Sequence, residues 1–98
     1  MKRFVVITLD QGTKERRDAI TEVVKQLGLG WWHWFQDSWM IPNVPAETTP
    51  KAIYAKLESV ECLKLASIVV LAFDGVPDHW GRANPDSWKW LKDYGKPR

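Results

Sequence analysis

Residues 29–41 read Leu29-Gly30-Trp31-Trp32-His33-Trp34-Phe35-Gln36-Asp37-Ser38-Trp39-Met40-Ile41, and the reading of this stretch decides the fold. Aromatic and β-branched side chains favour strands because they pack well on a pleated, half-buried surface. Gln36-Asp37-Ser38 is a polar break between two apolar arms, so the stretch predicts a hairpin. In its first arm Trp31, His33 and Phe35 share one face, and Trp32 and Trp34 share the other, since strand side chains alternate. Pro42-Asn43-Val44-Pro45 is expected to end the second arm, because proline cannot donate to a central ladder.

Toward the N-terminus, Gly28 and Gly30 mark the end of a helix. Thr13 is its N-cap, and Glu15 complements the dipole in the first turn. Ala19, Ile20, Val23, Val24 and Leu27 form one apolar stripe, with Lys14, Arg17, Asp18 and Lys25 on the opposite face. Before that helix, Arg3–Leu9 reads RFVVITL. Phe4, Val6 and Thr8 point one way, and Val5, Ile7 and Leu9 the other. A short run apolar on both faces is an interior strand, here broken by Asp10-Gln11-Gly12. Toward the C-terminus, Thr49-Pro50 pairs a cap with proline at the first helical position. Ala52, Ile53, Leu57 and Val60 form the buried side of a second helix running to about Ser59. Ala66–Phe73 (ASIVVLAF) is a further strand apolar on both sides, stopped by Asp74-Gly75.

The order is β-α-β-β-α-β, which is the plan of a ferredoxin-like α+β sandwich. Right-handed crossovers put both helices on one face of the sheet. The first and hairpin-return strands lie at its centre. The other face also carries apolar side chains, so something must cover it: a second copy, a partner, or the chain's own end. That end, residues 75–98, reads as a C-terminal extension of a single domain spanning 1–98. Asn84-Pro85, the spacing of Trp88, Trp90, Leu91 and Tyr94, and Gly95 predict a short helix there.

Composition bounds the function. The 98 residues suit one domain and are 45% hydrophobic and 27% charged, which excludes a disordered chain. No apolar run reaches membrane-span length, and the segment after Met1-Lys2-Arg3 is too short for a signal-peptide core. Cys62 is the single cysteine, which excludes an internal disulfide and fits a reducing, cytoplasmic setting. It reads as a packing residue near the end of the second helix. The net charge of +2 does not by itself announce a nucleic-acid binder. Metal-ligand spacings, nucleophile elbows and phosphate-cradling glycine loops are absent from the sequence.

The seven tryptophans are the unusual number. Each offers roughly 150–250 Å² to bury, more than so small an interior readily takes. Trp31, Trp32, Trp34 and Trp39 are therefore candidate interface residues for self-association or a protein partner. Base stacking is the alternative, but the hairpin carries no Lys or Arg among its aromatics. His33 reads as a packed, hydrogen-bonded histidine.

Asp10 leaves the first interior strand at the mouth of the sheet. The parallel run of strands one and two puts Asp37 at the same end and Asp74 at the opposite one. Asp10 has two readings. It organises the turn before Thr13, as Asp often does, or it is an oxygen ligand for Mg²⁺ acting on a phosphodiester. Lys14, Arg16 and Arg17 at the following helix start are candidate phosphate-binding residues, although Glu15 and Asp18 dilute that patch. Lys89, Lys92, Lys96 and Arg98 suit the end of the C-terminal helix.

The strand RFVVITLD, the basic helix, the hairpin HWFQDSWMI and the strand SIVVLAF together resemble the CRISPR-associated small endoribonuclease superfamily, which also holds virulence-associated protein D. WWHWFQDSW, with the later DSWKW, is similar to the hairpin and tail of the short proteins labelled SinR-like. The resemblance implies a ferredoxin-like homodimer. It implies further that Asp10 is catalytic and meets Asp10 of a second copy around a divalent metal, Mg²⁺. The sequence departs from that family after Asp74, where no fifth strand is evident and those nucleases often exchange one between protomers. The leading expectation is a homodimer acting by association with nucleic acid or a protein partner. The alternatives are a Mg²⁺-dependent endonuclease and a host-directed protein inhibitor from a mobile element.

Overall fold

The computed structural model describes residues 2–75, together with 85, 86, 89 and 93. Strand β1 (Lys2–Asp10) leads into helix α1 (Lys14–Gln26), the hairpin β2 (Trp32–Phe35) and β3 (Ser38–Pro45), helix α2 (Pro50–Glu58), a 3₁₀ turn at Glu61–Leu63, and strand β4 (Ser67–Phe73). The protein is an α+β fold with two helices and a four-stranded antiparallel sheet in the order β2-β3-β1-β4. The expected C-terminal helix falls mainly outside the described residues. Of that stretch, Pro85, Asp86, Lys89 and Asp93 are helical.

Local signals account for the helix limits. Thr13 is extended, and its hydroxyl accepts from the Arg16 amide at 3.2 Å. Thr49 does the same for the Ala52 amide at 3.1 Å, with Pro50 at the first helical position. Each cap satisfies one of the amides that a helix start leaves unpaired. Gly28, at φ 69°, takes the left-handed conformation that ends α1. The helices bury Ile20, Val23, Val24, Ile53 and Leu57. Ala52, expected on that buried side, is exposed, because the stripe of this short helix narrows to Ile53 and Leu57.

The alternation along β1 divides the core in two. Val5, Ile7 and Leu9 face the helices and pack with Trp39, Ile41 and Val44 of β3 and with Leu63. Phe4 faces the other way and, with Met40, forms a second cluster joined by Val6, Trp32 and Phe73. Phe4 and Met40 are only 3% and 2% exposed. The sheet is therefore apolar on both sides, as RFVVITL requires.

Two expectations are corrected. Pro42 and Asn43 do not end the second arm, since β3 runs on to Pro45 in the middle of the sheet. The pairing Val5–Ile41 shifts to Arg3–Val44, so Pro42 and Asn43 oppose Phe4 alone. This is a β-bulge, with Asn43 at φ 58°, and the irregular ladder accommodates a residue lacking an N–H. The second correction concerns β4. Among the described residues it flanks the central pair as expected, but it is not buried on both sides: its exposure alternates, and Val69 and Leu71 lie open at 53% and 44%.

Candidate functional site at the junction of β1 and α1

The end of β1 gathers most of the predicted site residues. Asp10 pairs with Ser67 through the backbone, and its exposed side chain lies on the side of the sheet away from the helices. Among the described residues its carboxylate makes no hydrogen bond or ion pair. It therefore does not organise the following turn, and Thr13 alone caps α1.

Asp37 takes the place at the helix start instead. Its backbone carbonyl accepts from the Leu9 amide at 2.8 Å, which fixes the hairpin turn against the end of β1. Its carboxylate meets Arg17 Nη1 at 3.4 Å, both side chains partly buried at 35% and 21% exposure. The carboxylate also lies over the Gly12 backbone, where a Cβ would come 2.7 Å from Asp37 Cγ and closer still to Oδ1. A Cβ at position 12 would displace the partly exposed Asp37 carboxylate and its contact with Arg17. Gly12→Ala is expected to cost about 1 kcal/mol or less, the range of a partly exposed ion pair. Most of that cost should vanish in an Asp37→Ala background. Urea unfolding of the double-mutant cycle checks this, and equal costs in both backgrounds would refute the contact.

The three predicted phosphate-binding cations each have an acceptor within the chain. Lys14 Nζ reaches Asp18 at 2.7 Å on the helix surface, and this hydrogen bond holds the Asp18 carboxyl below its ordinary range. Arg16 donates from Nε to the Cys62 carbonyl at 3.2 Å and from Nη1 to the Gln11 carbonyl at 3.4 Å. It ties the loop, α1 and the 3₁₀ turn together. Arg17 is held by Asp37. Arg16 and Arg17 are directed at their own chain, while Lys14 pairs with Asp18 on an exposed helix surface.

Cys62 packs at the rim of the core, with Sγ 3.9 Å from the Glu15 carbonyl. Desolvation, then the negative charge of Glu15, pushes its thiol above the ordinary range, so the thiol stays protonated at neutral pH. That is the chemistry of a packing residue.

The hairpin tryptophans divide. Trp39 is fully buried on the helix side, donating Nε1–H to Thr21 Oγ1 at 3.0 Å. His33 stacks on it with ring centroids 4.6 Å apart and planes 9° from parallel. His33 Nε2 donates to the Gln36 carbonyl at 2.6 Å, which closes the turn. Trp31 packs against the helix-side core and Trp32 against Phe4 and Met40, both partly buried. Trp39 therefore contributes to the interior of the protomer, leaving Trp31 and Trp32 as partly accessible rings. Trp34 lies within β2, and its side chain is outside the described set, as are Trp80, Trp88 and Trp90.

Sequence reasoning missed four exposed apolar residues: Tyr54 on α2, Leu65 before β4, and Val69 and Leu71 within it. The signal available was the strand order, which puts β4 at an edge. No group of three or more His, Cys, Asp or Glu side chains that could hold a metal occurs among the described residues. No helix among them is long and apolar enough to cross a membrane. No protein-family model, curated protein or solved structure matches the chain.

Proposed function

We propose that this chain is a homodimeric, ferredoxin-like protein of the SinR-like kind that works by association, using the side of its sheet away from the helices. The observation that carries the reading is the character of that side. Phe4, Val6, Trp32, Met40 and Phe73 line it; Phe4 and Met40 are already buried within the chain, and Val69 and Leu71 are the part left open to solvent. Burying such surface is favourable by roughly 25 cal/mol per Å², so an occupant stabilises it. The ferredoxin-like arrangement is supported by the β-α-β-β-α-β order and by the central pair β1 and β3.

A second copy suits this surface better than nucleic acid does. The surface is apolar, and Lys14, Arg16 and Arg17 already have acceptors in their own chain. Sedimentation velocity over a hundredfold concentration range is the test, with a salt titration of RNA and DNA binding beside it. A mass of twice the chain and little nucleic-acid affinity are expected. A monomer that binds RNA or DNA, with affinity falling steeply as salt rises, would replace this reading with a nucleic-acid one. A monomer binding one protein tightly would replace it with the inhibitor reading.

A second reading, the Mg²⁺-dependent endonuclease, is favoured by the unengaged carboxylate of Asp10. One protomer does not fit the ion, because no cluster of acidic or His/Cys ligands accompanies Asp10 among the described residues. A second copy would have to bring its own Asp10 beside this one. Mg²⁺-dependent cleavage of labelled RNA or DNA, lost in Asp10→Ala with thermal unfolding unchanged, would support this reading. Wild-type protein that leaves both intact would remove it.

A further inference from the structure

We draw no further inference here: the strongest candidate, the apolar patch that Leu65, Val69 and Leu71 leave exposed along β4 and the turn before it, carries nothing further, because nothing in the structure shows what covers it.

Discussion

Trp39→Ala should lower stability by about 3–5 kcal/mol, a large fraction of the roughly 5–15 kcal/mol that holds such a domain. The reason is position. Trp39 is fully buried on central strand β3, pairs with Ile7 of β1, and lies among the side chains that join the sheet to the helices. Removing the indole opens a cavity there, strips the stacking partner from His33 and leaves the Thr21 hydroxyl without its donor. Trp39→Phe keeps much of the volume and loses the hydrogen bond, so its cost should be clearly smaller than that of alanine. Thr21→Val leaves the indole N–H unpaired and should cost about 1–3 kcal/mol. Urea unfolding followed by far-UV circular dichroism checks the series and avoids signals from the other six tryptophans. A loss below 1 kcal/mol for Trp39→Ala would mean that this ring is not the bolt between the layers.

The same residue shows where sequence reading stops. Strand alternation in RFVVITL indicates which side chains of β1 face which way, because the period of two is a property of the backbone alone. Thr13 and Thr49 cap their helices as read, because a cap depends on residues three positions apart. Trp31, Trp32 and Trp39 have the same chemistry, and only the partner layer decides which is sealed in. Thr21 of α1 and the ring of His33 make that choice for Trp39. Pro42 was misleading for a related reason. The rule against proline in a central strand holds for a regular ladder, and the bulge opposite Phe4 makes the ladder irregular there. At the β1–α1 junction, the shared end of Asp10 and the hairpin turn was legible from strand direction. The docking of Asp37 on Gly12 and Arg17 was not, since Lys14, Arg16 and Arg17 are equivalent cations until the hairpin is in place.

The apolar character of the outer sheet face was legible too, but its division was not. Read from β1 alone, the whole face should demand cover. The structure divides it: the part around Phe4 and Met40 is sealed, and the part along β4 is open. That difference separates what folding of the chain supplies from what the proposed association would supply. Val6 pairs with both Met40 of β3 and Leu71 of β4, so it lies at the border between the sealed and open parts.

Phe4→Ala tests this division and should cost about 3–5 kcal/mol, although the residue lies on the side of the sheet away from α1 and α2. Val69→Ala, two strand positions beyond Leu71 on the same side, should cost only about 0.5 kcal/mol in dilute protein, as an exposed substitution does. Concentration separates the two further. Burial of Phe4 is complete within one chain, so the loss in Phe4→Ala should be the same at every concentration. On the proposed association Val69 gains cover only when two copies meet, so the deficit of Val69→Ala should then grow as concentration rises, because a contact made only between copies stabilises by mass action. Thermal unfolding of both variants over a hundredfold dilution series gives the comparison. Equal losses in dilute protein would mean that the sheet face is uniformly wet in the monomer, and the case for β4 as the surface left for a partner would fall with it.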